Sequence, residues 1–207
     1  SARNAADQHD YRTTMVHYDK INGVEYEYVY DKAGNITRIN KKNSSGVFED
    51  YIRYTYDGLY QLTRVDSVPE NRTFVYTYDN GGNITGKTEY AYTLGDPGTP
   101  LVSIPYGYTD SVWKDLLTSY NGQAIDYDEI GNPINYRDGL SFTWQYGRQL
   151  ASTKLNGVVQ AAYTYDADGI RASKTAGGVT SKYYYEGSRL AYEKRGGTDI
   201  FYFYTAD

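Results

Sequence analysis

The sequence predicts an all-β protein made of consecutive antiparallel β-hairpins that form a long curved sheet. Three observations carry this. Tyr accounts for 27 of the 207 residues, against 5 Phe and 2 Trp, and Tyr favours half-buried strands. There are 21 Gly, the residue that permits tight turns. A Tyr-x-Tyr-Asp unit with a following Gly recurs along the chain, at a period of about twenty residues with variable loops, which suits one hairpin per repeat.

The first clear unit is Tyr28-Val-Tyr30-Asp31-Lys-Ala-Gly34-Asn35-Ile36-Thr37-Arg38-Ile39. Tyr54, Tyr56 and Asp57 open the second, and Tyr76, Tyr78, Asp79 and Gly82 mark the third. Tyr127, Asp128 and Gly131 mark a fourth, and Tyr163, Tyr165, Asp166 and Gly169 a fifth. Weaker copies run through Phe142-Thr-Trp144-Gln145 and Tyr183-Tyr-Tyr185-Glu186. Tyr-x-Tyr sets two rings on one face of a strand, because side chains alternate with period two. The Asp carboxylate then accepts bonds from turn N–H groups. Gly three positions on supplies the positive φ of a type I turn with a bulge. The return strand, Asn-Ile-Thr-Arg-Ile in the first unit, is rich in β-branched residues. These eighteen motif residues are expected to be structural.

Residues 1–207 read as one scaffold, with a poorly patterned lead-in over 1–17 and an irregular loop over 94–122 inside the repeat array. Three of the five prolines, Pro97, Pro100 and Pro105, lie in that loop. A short helix is expected within 109–122, capped by Ser111, packing Val112, Trp113, Leu116 and Leu117, and ended by Asn121-Gly122. Both ends, Ser1-Ala2-Arg3-Asn4 and Thr205-Ala206-Asp207, read as cuts through a longer polypeptide that lacks a signal peptide here.

Composition limits the partners. Net charge is −5, with no Lys/Arg run to neutralise a phosphate backbone, so nucleic acid is not expected. No apolar run or basic amphipathic helix points to membrane insertion. Cysteine is absent, which removes disulfides and thiol catalysis without fixing the compartment.

Chemistry-bearing motifs have plainer explanations. The repeat aspartates occupy one turn position each, so a glycosidase pair is not needed to explain them. Asp166-Ala-Asp168-Gly169 begins like a calcium loop but lacks the later ligands and the distal Glu. His9 and His17 have no ligand cluster, and Gly81-Gly82-Asn83 and Gly177-Gly178 precede no helix for phosphate binding. No catalytic, metal or cofactor-binding residue is expected, and no cofactor.

These residues resemble the Rhs/YD-repeat family, which includes bacterial Rhs and wall-associated polymorphic toxins, the shell component of insecticidal toxin complexes, and teneurins. Six Tyr-Asp pairs (at Asp19, Asp31, Asp57, Asp79, Asp128 and Asp166) carry the likeness. It covers roughly Tyr18 to the C-terminus. Trp113-Lys-Asp-Leu-Leu-Thr-Ser-Tyr-Asn-Gly122, Tyr127-Asp-Glu-Ile-Gly-Asn-Pro133 and Phe142-Thr-Trp-Gln-Tyr-Gly-Arg-Gln-Leu-Ala-Ser152 resemble the Gram-positive type. The resemblance implies a segment of a spiralling β-shell that encapsulates and delivers a C-terminal toxin within a secreted or cell-surface protein. It implies neighbouring repeats and an enclosed toxin domain as partners. The family's self-cleaving aspartate motif is absent, since Asp96-Pro97-Gly98 lies in the loop without its spacing. Autoproteolysis and toxicity are therefore not carried over. Alternatives are a carbohydrate- or protein-binding surface module using exposed Tyr, and a glycoside hydrolase. Unpaired strand edges predict edge-to-edge self-association.

Overall fold

A computed structural model describes residues 15–204. His9, most of the lead-in and residues 205–207 lie outside them. The chain is all-β and divides into two compact units, Ser1–Ile104 and Pro105–Asp207; the division falls inside the loop expected at 94–122.

Unit 1 carries β1 (Tyr18–Ile21), β2 (Val24–Tyr30), β3 (Ile36–Lys42), β4 (Phe48–Tyr56), β5 (Leu62–Ser67), β6 (Arg72–Tyr78) and β7 (Ile84–Ala91). Each strand pairs antiparallel with the next. On one face the register lines up Tyr28, Ile39 and Ile52, then Tyr54, Val65 and Phe74. Lys87 Nζ caps the Phe74 ring at 4.4 Å. The opposite face is charged. Arg38 and Arg53 stand directly opposite each other, a repulsive pairing that Asp50 relieves by bonding both.

β8 (Val102–Gly107) crosses the division. Unit 2 continues with β9 (Ser119–Tyr120), β10 (Gln123–Ala124), β11 (Asp126–Tyr127), β12 (Pro133–Asn135), β13 (Leu140–Gln145) and β14 (Gln149–Leu155). It ends with β15 (Val158–Tyr165), β16 (Arg171–Ala176), β17 (Val179–Glu186), β18 (Arg189–Arg195) and β19 (Thr198–Phe201). From β11 to β19 sequence order is again sheet order. Tyr184, Tyr192 and Phe201 stack across three strands, with ring centroids 5.1 Å apart at each step.

The core is thin and mostly polar. Among the described residues the buried apolar side chains are Phe74, Ile125 and Ala161, whereas Asn40, Asp66, Ser67, Thr73, Asn132, Ser181 and Glu193 are buried polar ones. Most tyrosines are half-buried, which keeps rings on the sheet and hydroxyls within reach of partners.

The helix expected within 109–122 is not formed. Asp110, not Ser111, accepts the turn N–H groups of Val112 and Trp113, and a single i,i+3 bond joins Leu116 N to Trp113 O. Val112 is exposed rather than packed. Thr118 N then donates to Gly107 O and starts sheet pairing, so the segment is too short to gain from helix propagation. Asn121 and Gly122 close the β9–β10 hairpin instead.

Candidate functional site: the Tyr-Asp turn and its ties

Each Tyr-Asp turn uses the same local chemistry. Asp31 Oδ1 accepts from Ala33 N and Asn35 N at 2.8 and 2.9 Å. Asp57 does the same with Leu59 and Gln61, Asp79 with Gly81 and Asn83, and Asp128 with Ile130 and Asn132. Asp166 holds Asp168 N and Ile170 N, so the calcium-like start of that segment is occupied by its own backbone. Gly34, Gly82, Gly131 and Gly169 sit at φ between 80° and 97°. In the second unit Tyr60 takes that place at φ 63°, a left-handed conformation that is costly for a bulky residue.

The side chain after the Gly reinforces the turn. Asn35 Nδ2 donates to Asp31 Oδ2, and Asn83 Nδ2 to Asp79 Oδ2. These bonds, with the turn N–H groups, hold the Asp31 and Asp79 carboxyls below the usual range. At Asp128 burial pushes the other way, but the Asn132 backbone and side-chain bonds outweigh it and the carboxyl is again lowered.

The second Tyr of each pair makes a bond that the sequence reading missed. Its hydroxyl donates to a backbone carbonyl at the start of the preceding hairpin's return strand. Tyr56 reaches Ile36 O at 2.9 Å, Tyr78 reaches Leu62 O at 2.7 Å, and Tyr165 reaches Leu150 O at 3.1 Å. Tyr185 and Tyr204 repeat it on Arg171 O and Leu190 O. Tyr30 and Tyr127 make the corresponding bonds to Val16 O and Leu117 O. Trp144 replaces Tyr in a weak copy and supplies Nε1–H to Pro133 O at 2.7 Å, so donor capacity is kept where the residue type changes. The available signal was the excess of Tyr over Phe. Burial pushes the Tyr56, Tyr78 and Tyr127 phenols up, which leaves them protonated donors. The first tyrosines of the pairs, Tyr28, Tyr54, Tyr76 and Tyr163, lie opposite Ile39, Val65, Lys87 and Lys174 on the same face as their partners.

Successive turns also touch. Asn132 Nδ2 donates to Gly147 O, and Arg148 Nη2 to Ile130 O. A Cβ at Gly82 or Gly169 would stand 3.3 or 3.2 Å from the amide of Gln61 or Gln149 in the turn before.

Two buried polar clusters lie away from the turns. Asp66 accepts from Arg64 Nε and from Thr73 Oγ1, both at 2.8 Å, and Arg64 Nη2 bonds Thr93 O and Gly95 O. Glu193 accepts from Arg195 and from Tyr202; the Arg195 bonds lead the causes that bring its carboxyl down to about 2.

A cleft of about 480 Å³ in unit 2 is lined by Asp110, Trp113, Ile125, Asp126, Asp128 and Glu129, among others. It is the place where a hydrolytic pair could be sought. Asp110 is held below the usual carboxylate range by the Trp113 and Val112 N–H groups, and Asp128 is lowered as well. Neither stays protonated to serve as a general acid. Among the described residues no group of three or more His, Cys, Asp or Glu side chains is placed to hold a metal. His17 packs edge-on against Tyr30 at 5.5 Å. No helix among them is long and apolar enough to cross a membrane.

No family model matches the chain. It is 31% identical over 138 residues to the tRNA nuclease WapA of Bacillus subtilis strain 168, covering 65% of this chain and 5% of that protein. Identity and coverage are the same for the tRNA3(Ser)-specific nuclease WapA of Bacillus spizizenii. The chain thus spans only about a twentieth of the curated relatives it matches. Among solved structures, a chain of the Photorhabdus luminescens Tc holotoxin pore matches with TM-score 0.51 and 19% identity, over 83% of this chain and 10% of that one. The likeness is one of fold, and together with the sequence relatives it supports the Rhs/YD-repeat resemblance at a coarse level: an array of antiparallel hairpins similar to segments of much longer proteins.

Proposed function

We propose that this chain is a structural segment of an Rhs-type β-shell, of the Gram-positive kind, which in a larger secreted or cell-surface protein encloses and delivers a C-terminal toxin. The single observation that carries the reading is the recurring hydroxyl tie from one hairpin to the carbonyl of the hairpin before it. Such ties let a sheet one layer thick stand with few buried apolar side chains, as a wall requires. The eighteen motif residues act as builders of that wall. The likeness to WapA supports a toxin context, and the nuclease activity named for those relatives would belong to the part of the parent protein that this segment does not span. The segment itself contributes no catalytic group.

Its partners are the neighbouring repeats and the enclosed domain. Among the described residues β19 stands at the edge of its sheet, which favours edge-to-edge association of the isolated segment, visible as concentration-dependent dimers in light scattering. Limited proteolysis of the longer polypeptide tests the central reading. A C-terminal domain resistant to protease until the hairpin array is denatured supports enclosure. A domain cleaved at once in the folded protein rules it out.

A further inference from the structure

Four Asn-Gly steps occur in the chain, at Asn22-Gly23, Asn80-Gly81, Asn121-Gly122 and Asn156-Gly157. All four asparagines are exposed, so exposure does not separate them. Their backbones do. Asn22-Gly23, Asn121-Gly122 and Asn156-Gly157 have φ pairs of 51° and 83°, 49° and 76°, and 50° and 80°. They are the central residues of two-residue hairpin turns flanked by the pairs Ile21–Val24, Tyr120–Gln123 and Leu155–Val158. Asn80-Gly81 instead lies inside a Tyr-Asp turn, where Gly81 N donates to Asp79 Oδ1 at 2.8 Å.

We propose that the Asn-Gly turns are sites of spontaneous deamidation, and that the Tyr-Asp turn protects Asn80 from the same reaction. The glycine amide nitrogen loses its proton to solvent base and attacks the Asn Cγ. A C–N bond forms, the side-chain amide leaves as ammonia, and water opens the cyclic imide at either carbonyl to give aspartate or isoaspartate. Water is the only co-reactant, no redox step is involved, and each event adds one negative charge.

Room and proton availability set the order. A Cβ placed on Gly23, Gly122 or Gly157 meets nothing within 4 Å, so these glycines stand in open space that solvent base can reach. A Cβ on Gly81 meets Asp79 Oδ1 at 3.3 Å and Asn83 Nδ2 at 3.4 Å. The Gly81 proton is already held by Asp79, whose carboxylate is kept below the usual range by Asn83 and is a poor base. Asn156 stands between the two extremes. Its side-chain amide packs against Gly139, and its N–H donates to Gly139 O, which restrains the amide that must rotate into attack. The order is Asn22 and Asn121 first, Asn156 next, Asn80 last. Isoaspartate lengthens the backbone within a two-residue turn, where loop length sets the strand register, so the product loosens the hairpin it forms in.

The test is a time course of the full chain at mildly alkaline pH, read by peptide mapping with fragmentation that separates isoaspartate from aspartate. The same course is run in denaturant. All four sites are expected to react at comparable rates when unfolded, and Asn80 to lag several-fold behind Asn22 and Asn121 when folded. Asp79→Ala should speed Asn80 without speeding Asn156; a variant that merely unfolds would speed both. The proposal is overturned if Asn80 keeps pace in the folded protein. It is overturned equally if Asn22 and Asn121 stay intact there while the denatured chain reacts.

Discussion

Within each unit the two rims of the sheet are built differently. The rim that carries the Tyr-Asp turns is knit three ways: carboxylates hold the turn N–H groups, aromatic donors tie each hairpin to the one before, and neighbouring turns bond one another. On the other rim two-residue links reverse the chain at 22–23, 121–122, 156–157, 177–178 and 196–197, and longer turns join β3 to β4, β5 to β6 and β12 to β13. The glycines at 23, 122, 157, 177 and 178 have open space where a Cβ would be. Asn43 is a partial exception, since its Oδ1 accepts from Ser45 N and Val47 N in the manner of the turn aspartates. One rim therefore sets how hairpins join, and the other chiefly reverses the chain. Conformational freedom and chemical wear belong on the second.

The largest expected effect removes a firm anchor on the plain rim. Arg64, Asp66 and Thr73 pin the connection that follows β7. Asp66→Ala leaves Arg64 without its buried partner and should cost about 3 kcal/mol, measured by urea denaturation. Faster cleavage within residues 92–101 in limited proteolysis should accompany it.

Next comes the knit rim. Tyr78→Phe keeps the ring and deletes the donor to Leu62 O, and should cost about 1 kcal/mol. The same change at an untied ring, Tyr76→Phe, should cost less.

Position three after the turn Asp offers a test by sign. Gly82→Ala forces a Cβ into left-handed backbone beside Gln61 and should destabilise by about 1 kcal/mol. Tyr60→Gly, at the equivalent place, should stabilise by a similar amount through relief of strain. Thermal denaturation of both decides whether the turn or the side chain sets the preference.

Acid should separate the rims as well. Asp31 and Asp79 have carboxyls lower in the folded chain than their ordinary value. Their contribution is complete above the unfolded pKa of about 4 and is lost as pH falls through the lower folded value. Glu193 follows the same sign, with its loss running from about 4.5 down to about 2. Amide exchange should therefore rise in the Tyr-Asp turns below about pH 4 before the Asn-Gly and Gly-Gly turns respond. The smallest effect is Gly177→Asn. It suits a turn residue at φ 57° and should stabilise by about half a kcal/mol.

The Tyr-Asp turns were legible in the sequence because their chemistry is local: Asp, its backbone partners and the Gly lie within five residues of one another. The hydroxyl ties were not, because the acceptor is a carbonyl of another hairpin, at a spacing that loop length varies. Tyr78 is 16 residues from its acceptor and Tyr56 is 20. Arg64 and Asp66 are near neighbours in sequence, and only the register brings them to Thr73, Thr93 and Gly95. The helix read over 109–122 failed for the opposite reason. Ser111 and the apolar spacing are genuine local signals, but Asp110 caps a tighter turn and sheet pairing begins at Thr118.

The central claim is that aromatic hydroxyls join one hairpin to the next. Tyr56 ties β4 to β3, and Tyr78 ties β6 to β5. Native-state hydrogen exchange on the Tyr56→Phe, Tyr78→Phe double variant tests it most directly. The prediction is faster exchange in the β3–β4 and β5–β6 pairings, with the pairings inside each hairpin, β2–β3, β4–β5 and β6–β7, kept at the parent rate. Unchanged exchange throughout, or equal acceleration in every strand, would contradict it.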